Sequence, residues 1–214
     1  IGHTGTLDPD AEGVLPVCLG KATKLCDLLA GHDKVYEAVM LLGQSTDTQD
    51  TTGTVLESAT VTVSEEEVRE AVLSFEGPYE QIPPMYSALK VNGQKLCDLA
   101  RKGRQVERQP RPVTIHELTL LSREGDTLRL RVRCSKGTYV RTLCHDIGAA
   151  LGCGGCMETL RRTAAGEYTL ADSVELDTLL NAERPEDYLR NVDTLFRQYP
   201  AVTLTEKQTL RCRN

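Results

Sequence analysis

The most informative stretch of the sequence is Gly2-His3-Thr4-Gly5-Thr6-Leu7-Asp8-Pro9-Asp10-Ala11-Glu12-Gly13-Val14-Leu15-Pro16. Pro9 biases Asp8 toward an extended backbone, while Gly5 and Gly13 can adopt backbone angles that are closed to other residues. A loop of this kind can present a single carboxylate rigidly. Asp-Pro is also a common start of an Asx-turn or of a capped helix, so a purely local role for Asp8 stays open on this pattern alone.

Length and composition indicate an ordinary soluble protein. The chain has 214 residues, of which 40% are hydrophobic, enough for one good core. No apolar run approaches the roughly 20 residues that span a membrane, and no signal-peptide pattern opens the chain. We therefore expect a cytoplasmic protein with no membrane partner.

The eight cysteines are scattered through apolar patterns without a secretory context, which favours reduced thiols over a disulfide framework. Cys153-Gly154-Gly155-Cys156 is a single CxxC motif. One such pair cannot fill a tetrahedral zinc site, and this one follows a predicted helix instead of starting one. We expect no metal site. A thiol-dependent or zinc protein that uses Cys153 and Cys156 nevertheless stays open as an alternative.

Positive charge is concentrated in one part of an acidic chain. The net charge is −6, yet residues 95–141 hold twelve Lys or Arg against five Asp or Glu, and the rest of the chain has a balance of −13. Arg129, Arg131 and Arg133 alternate with apolar residues, which predicts three arginines on one face of a strand. Such a concentration suits a phosphate-binding face, although a solvated surface would also explain Arg101, Lys102 and Arg104.

Strand and helix signals alternate irregularly and predict one mixed α/β (α+β) domain. Ser64 and Glu67 form a capping box for a helix that reaches about Phe75, and Asn92-Gly93 is a turn signal. The other predicted segments are a helix at 23–30, strands at 35–42 and 87–91, a helix at 95–102, a hairpin of 113–121 with 127–134, and a helix at 139–151.

The loop around Asp8 resembles the signature of the TruB family of tRNA pseudouridine synthases, and the resemblance continues in the same order over nearly the whole chain. The further matching segments are Asp33-Lys34-Val35-Tyr36, Leu42-Gly43-Gln44-Ser45-Thr46-Asp47-Thr48, Gln81-Ile82-Pro83-Pro84-Met85-Tyr86-Ser87-Ala88-Leu89-Lys90, Cys134-Ser135-Lys136-Gly137-Thr138-Tyr139-Val140-Arg141 and Leu160-Arg161-Arg162.

The resemblance implies a pseudouridine synthase fold, with a mixed, largely antiparallel sheet flanked by helices. It also implies an isomerase that converts uridine-55 of the tRNA T loop to pseudouridine on a flipped-out base, without a cofactor. The family's catalytic aspartate corresponds to Asp8, and its partner arginine corresponds to Arg141. A positioned carboxylate can add covalently or stabilise a cationic sugar, so Asp8 suits this chemistry.

The resemblance also assigns substrate-binding side chains. Tyr36 would stack on the uracil and bring its phenolic oxygen near C5, and Leu160 would contact the target base, although core residues would look identical in sequence. His3 would stabilise the disrupted stack of the loop, and Tyr139 lies two residues before Arg141. We expect phosphate contacts at six basic residues, which are Lys24, Arg101, Lys102, Arg104, Arg131 and Arg133.

The resemblance places a catalytic domain at 1–198 and the start of a truncated, PUA-like RNA-binding domain at 199–214. Family members carry a segment before the signature, so we expect an incomplete N-terminus and poor activity or stability of this stretch alone. We expect the T arm of tRNA as the partner, no obligate protein partner, and a monomer. A noncatalytic RNA-binding fragment of the same fold is the main alternative, because only the enzyme requires Asp8.

Overall fold

A mixed sheet forms the centre of the protein, whose computed structural model describes residues 1–197 and 199–212. The strands in chain order are β1 (Gly2–His3), β2 (Glu12–Gly13), β3 (Val17–Cys18), β4 (Lys34–Leu42), β5 (Gln44–Thr46), β6 (Val55–Ser58), β7 (Gly77–Gln81), β8 (Lys90–Val91), β9 (Gln94–Lys95), β10 (Arg111–Glu124), β11 (Thr127–Cys134), β12 (Gly155–Ala165) and β13 (Tyr168–Thr169).

Six α-helices accompany these strands in the described part of the chain. They are α1 (Cys26–Ala30), α2 (Glu65–Leu73), α3 (Leu96–Ala100), α4 (Val140–Ala150), α5 (Leu176–Leu180) and α6 (Glu206–Cys212). Short 3-10 helices lie at Gly20–Leu25, Leu170–Asp172, Pro185–Tyr188 and Val192–Phe196.

The main sheet has the strand order β13-β12-β4-β11-β10-β7, and β2 pairs with β12. Every pairing along that order is antiparallel, whereas β2 runs parallel to β12, so the predicted mixed and largely antiparallel sheet is confirmed. The hairpin of β10 and β11 turns at Gly125, whose φ of 61° lies in the left-handed region that glycine adopts without strain. This hairpin is the one predicted from sequence.

The core lies between one face of this sheet and two helices. Leu128, Leu130 and Val132 of β11 are buried, and they alternate with the three arginines, which point to the opposite face. Helix α4 contributes Leu143 and Ile147 to the same cluster. Helix α2 adds Val68 and Val72. The period of two in the strand and the apolar stripes of the helices therefore meet on one side of the sheet.

The largest differences between the predicted segments and the structure lie at 23–30 and 87–91. The helix expected at 23–30 is a 3-10 helix at Gly20–Leu25 followed by α1, because the Thr23 hydroxyl donates to the Gly20 carbonyl 2.8 Å away and closes a tighter turn. Of the strand expected at 87–91, only the last two residues form a strand, β8. The carbonyls of Ser87 and Leu89 instead accept the first two N–H groups of α3, those of Cys97 at 3.0 Å and Leu96 at 2.8 Å.

The chain divides into two compact units, 1–173 and 174–214. The second unit contains α5, α6 and two of the 3-10 helices, and Phe196 contacts Tyr199 in it with ring centroids 6.4 Å apart. The segment expected to begin a PUA-like domain, 199–214, falls in this unit, and Gln198, Arg213 and Asn214 lie outside the described residues. No helix within 1–197 and 199–212 is long and apolar enough to cross a membrane.

The capping box of α2 gives a test of local stability. The Ser64 hydroxyl accepts the Glu67 N–H at 3.2 Å, and the Glu67 carboxylate accepts the Ser64 N–H at 2.7 Å. Ser64→Ala should lower the free energy of unfolding by about 1 kcal/mol, because it leaves a helix N–H without its acceptor. Urea titration measures this change, and Thr60→Ala in the exposed loop before α2 is the control. An unchanged midpoint in Ser64→Ala would contradict the expectation.

Candidate active site

The loop that carries Asp8 is anchored at both ends. Strands β1 and β3 pair so that His3 faces Val17, and the Thr4 N–H donates to the Pro16 carbonyl at 3.2 Å. Between these anchors the Ala11 N–H donates to the Asp8 carbonyl at 3.0 Å and closes a turn around Pro9. The Asp8 side chain itself is 37% exposed, so the loop presents its carboxylate at the surface of the fold.

Arg141 binds the Asp8 carboxylate with two nitrogens. Its Nε lies 2.8 Å from Oδ2 of Asp8, and its Nη2 donates to Oδ1 at 3.0 Å. The arginine side chain is only 6% exposed, and it stands in the first turn of α4. The Asp8 carboxylate therefore takes part in a charge-assisted, two-point pair across the fold, which fixes its orientation. The local turn or cap that the Asp-Pro pattern left open does not engage this side chain.

Three further acceptors surround the same guanidinium. Its Nη1 donates to the Thr48 carbonyl at 3.1 Å and lies 3.4 Å from Oδ2 of Asp50, and its Nη2 donates to the Tyr86 carbonyl at 2.9 Å. A buried charge is costly unless it is paired and hydrogen-bonded. Here Nη1 and Nη2 have hydrogen-bond acceptors, and Nε makes an ion-pair contact with the Asp8 carboxylate. Arg141 consequently has one defined orientation, and so does the carboxylate it holds.

The second carboxylate, Asp50, is fixed by its own loop. Its Oδ1 accepts from the Thr48 hydroxyl at 2.7 Å and from the Thr52 N–H at 3.0 Å. The backbone of this loop bonds to β12, where the Thr51 N–H donates to the Met157 carbonyl at 2.9 Å. The sequence analysis did not identify Asp50 as a site residue. Its polar, turn-forming surroundings directly after β5 were the available signal.

Gln81 organises the start of α4. Its Oε1 accepts the Tyr139 N–H at 2.8 Å, and its Nε2 donates to the Tyr139 carbonyl at 3.0 Å. The same Nε2 lies 2.6 Å from the Tyr79 hydroxyl, which donates to Oδ2 of Asp146 at 3.1 Å. Gln81 is almost fully buried, so these bonds fix the helix end that carries Arg141. Sequence reasoning missed this role because it joins residues about sixty positions apart.

Tyr36 lies on β4 on the same face as the core. Burial raises the pKa of Tyr36, and the nearby Asp8 raises it further, whereas the Arg162 guanidinium opposes both. The side chain is therefore a neutral phenol at neutral pH. Tyr36 and Asp8 thus stand close to one another at one end of the sheet, which is where the resemblance predicts the base to bind.

The other substrate-binding candidates occupy varied positions. His3 is exposed on β1, and its Nδ1 accepts the Gly5 N–H at 3.4 Å. Tyr139 is half-buried at the start of α4, next to Arg141. Leu160 faces Ala38 of β4 and is 7% exposed within the core cluster. Tyr139 therefore lies at the helix end that carries the arginine, and Leu160 has a core position with a small exposed fraction.

The basic candidates fall into two groups. Arg131 and Arg133 project from the face of the sheet opposite Tyr36 and pair with Glu117 and Asp33, the second pair at 3.2 Å. The remaining four lie outside the main sheet, in the 3-10 helix Gly20–Leu25 or at the C-terminal end of α3. They are Lys24, Arg101, Lys102 and Arg104, and of these Arg101 lies 3.8 Å from Asp98.

The cysteines form no metal centre with neighbouring ligands in the described part of the chain. Cys153 and Cys156 are both buried, and Cys156 accepts a weak hydrogen bond from the Gln44 amide at 3.7 Å. Within 1–197 and 199–212, no three His, Cys, Asp or Glu side chains come together as a group that could hold a metal ion.

Two family profiles cover this chain. The profile described as TruB family pseudouridylate synthase (N terminal domain) matches residues 1–140, and that of the tRNA pseudouridylate synthase B C-terminal domain matches 141–193. These two matches together span both the Asp8 loop and Arg141.

Sequence relatives agree with the profiles. Proteins named tRNA pseudouridine synthase B are 47% identical over 97% of this chain in Clostridium acetobutylicum, 51% over 95% in Aromatoleum aromaticum and 56% over 83% in Pseudomonas syringae. The chain spans 71%, 67% and 58% of those three relatives.

Solved structures share the fold. A Cbf5-Nop10-Gar1 complex matches with a TM-score of 0.66 and 32% identity over 88% of this chain, and an H/ACA RNP bound to a substrate RNA containing 2′-deoxyuridine matches with 0.62 and 29% over 88%. This chain spans about half of each matched chain, 48% and 47%. The agreement supports the pseudouridine synthase fold that the sequence predicted.

Asp146, the half-buried carboxyl at the end of the hydrogen-bond series from Gln81 through Tyr79, gives a pH-dependent test. Burial raises the pKa of Asp146, so the folded protein keeps this proton to a higher pH than the unfolded chain does. Stability from this group is present below the ordinary carboxyl pKa and is lost as the pH rises through the raised value. Asp146→Asn should therefore gain stability relative to the parent as the pH rises from about 4 to 7.

Urea titrations of the two proteins across this pH range measure the difference. The exposed Asp126→Asn variant is the control and should track the parent. If Asp146→Asn instead loses stability relative to the parent as the pH rises, the ionised carboxylate supports the fold and the expectation is wrong.

Proposed function

The chain belongs to the TruB family of pseudouridylate synthases, and we propose that it converts uridine-55 in the T loop of tRNA to pseudouridine with Asp8 as the catalytic carboxylate. The enzyme is an isomerase. The observation that carries the role of Asp8 is its two-point pairing with the buried Arg141, at 2.8 and 3.0 Å. A surface carboxylate that only ended a turn would not require a buried guanidinium of its own.

The reaction exchanges one bond to the sugar for another. The N1–C1′ bond breaks, the uracil turns, and C5 bonds to C1′. The proton on C5 leaves and N1 gains a proton, so the product is an isomer and no oxidant or water is consumed. Asp8 can form a transient ester or adduct, or stabilise the positive charge that develops on the sugar. The carboxylate can act in this way at either the sugar or the base.

The geometry suits a base that enters from outside. Asp8 is 37% exposed although its arginine is buried, so its free lone pairs face solvent while its charge pairing lies inside. A uridine within a folded tRNA loop must leave its stack before a carboxylate can reach it. We place His3 on the vacated side of the stack, and Tyr36, Tyr139 and Leu160 against the extruded base.

The phosphate contacts divide by position. The Tyr86 carbonyl binds Arg141, and Tyr86 packs against the apolar cluster that includes Leu96 and Leu99 of α3. Arg101, Lys102 and Arg104, which follow α3, therefore belong to a part of the fold that contacts the active site. With Lys24 they are our proposed contacts to the T arm. Such contacts fix the orientation of the RNA without reading its sequence. The phosphate contacts expected at Arg131 and Arg133 remain a prediction from the sequence alone, because these residues face away from Tyr36 and have acidic partners.

We propose further that the protein acts as a cytoplasmic monomer without an obligate protein partner. The relatives with 47 to 56% identity are named for tRNA, and they are bacterial. The structural match from an assembly with Nop10 and Gar1 is lower, at 32% identity. A tRNA substrate is compatible with an enzyme that recognises its RNA directly.

Asp8→Asn should abolish isomerisation while leaving tRNA binding intact. The substitution keeps the size of the side chain and removes the charge that acts on the substrate. Tritium release from C5-tritiated uridine in a tRNA transcript measures turnover, and filter binding measures affinity. The full-length protein is the reference, and Asp10→Asn, two residues later in the same loop, is the matched control that should remain active.

Release by the parent and by Asp10→Asn, but not by Asp8→Asn, is the expected pattern. If the parent binds tRNA but releases no tritium, the protein is a noncatalytic RNA-binding member of the fold. If Asp8→Asn releases tritium at the parent rate, another group performs the chemistry.

Tyr36→Phe separates stacking from proton transfer. Phenylalanine keeps the ring that stacks on uracil and removes the hydroxyl. As a neutral phenol, this hydroxyl would relay the C5 proton by accepting it while passing its own proton to an acceptor such as the nearby Asp8 carboxylate. Positioned acid–base groups contribute roughly 10²- to 10⁴-fold, so the single-turnover rate should fall within that range while the tRNA Kd stays the same. A Tyr36→Phe enzyme with the parent rate would assign stacking alone to this residue.

A further inference from the structure

Arg162 is a fully buried arginine in the neighbourhood of Asp8 that donates hydrogen bonds to two backbone carbonyls. It is 1% exposed on β12, and no salt bridge to it occurs within 1–197 and 199–212. Burying a guanidinium without a carboxylate is costly, because its charge loses water and gains only neutral acceptors. Arg161, its exposed neighbour, pairs instead with Glu12 at the surface, at 3.3 Å.

Both backbone carbonyls that accept from Arg162 belong to the loop that carries Asp8. Its Nε donates to the Val14 carbonyl at 2.6 Å, and its Nη2 donates to the Gly5 carbonyl at 3.1 Å. Gly5 precedes Asp8 by three residues and Val14 follows it by six. One guanidinium therefore joins the two arms of the loop beneath the carboxylate.

The backbone of Arg162 holds the same loop. Its carbonyl accepts the Val14 N–H at 2.8 Å, and it is the register partner of Gly13 where β2 runs parallel to β12. A Cβ on Gly13 would lie 2.2 Å from that carbonyl oxygen, and the φ of Gly13 is +109°. Glycine at this position is thus needed for the loop to approach Arg162 at all.

Arg162 also lies next to Tyr36, the second candidate catalytic residue. Arg162 faces Tyr36 across the pair of β12 and β4, so both side chains lie on one face of the sheet. The Arg162 guanidinium counteracts the burial that raises the pKa of Tyr36. Arg162 therefore contacts the loop of Asp8 and lies beside Tyr36 at once.

We propose that Arg162 is a positioning residue that sets the placement of Asp8 relative to Tyr36, by binding both arms of the Asp8 loop from a strand that is fixed next to Tyr36. This role rests on the proposed isomerase activity. A substitution should consequently disturb the chemical step and leave capture of the tRNA unchanged, since the guanidinium lies beneath the loop and is shielded from the surface.

The test compares Arg162→Lys and Arg162→Ala with Arg161→Ala in the full-length protein. Lysine keeps the charge but presents one compact ammonium in place of a planar fork, so it cannot reproduce the arrangement in which Nε and Nη2 each bind a carbonyl. Single-turnover tritium release at saturating enzyme reports the chemical step, filter binding reports the tRNA Kd, and urea titration reports the folded fraction.

We expect both Arg162 variants to lose more than tenfold in single-turnover rate per folded molecule, with a tRNA Kd within twofold of the parent. Arg161→Ala should match the parent in all three measurements. Millimolar guanidinium, well below denaturing concentrations, should restore part of the rate of Arg162→Ala by occupying the space of the lost side chain, and it should not accelerate the parent.

A purely structural role predicts a different result. The rate per folded molecule would then equal that of the parent, and guanidinium would have no effect, which would overturn the proposal. If Arg162→Ala does not fold, the single-turnover rate per folded molecule of Arg162→Lys distinguishes the positioning role from the structural one. An inactive parent would instead contradict the proposed function itself, so the two failures are distinguishable.

Discussion

The burial of the Arg141 guanidinium is the constraint on which the site depends. A guanidinium has five N–H groups in a rigid plane and cannot lose its charge, so a protein that buries one must supply acceptors in that plane. Here they come from three separate segments, which contain Asp8, the pair Thr48 and Asp50, and Tyr86. The arginine therefore imposes a common geometry on loops that the chain order keeps far apart.

A second buried arginine complements the first. Arg141 holds the end of the Asp8 side chain, whereas Arg162 holds the backbone arms of the same loop. Carboxylate position depends on both, because a two-point salt bridge orients a side chain but does not fix a mobile backbone. The rest of the loop can then remain exposed to a substrate, and the stiffness comes from the helix and the strand that carry these arginines.

Sequence reasoning found the parts of this arrangement that have local signatures. Asp8 stands in a loop whose shape is indicated by its glycines and prolines. The alternation of apolar residues and arginines around Arg131 and the capping box at Ser64 follow directly from strand and helix geometry. Arg141, Tyr36 and Tyr139 were named only through the family resemblance. Their neighbourhood in the fold could not come from periodicity, because it joins elements that are distant in the chain.

The residues that were missed share one property. Asp50, Gln81 and Arg162 act through bonds to backbone groups or to another buried side chain more than thirty residues away. Such bonds leave no period in the sequence, and each residue taken alone reads as an ordinary loop or strand position. What the sequence does record is their consequence, a glycine at position 13 that admits a neighbouring backbone. The requirement for that glycine is intelligible only once Arg162 is in place, since the carbonyl that excludes a side chain there belongs to the residue whose guanidinium closes the loop.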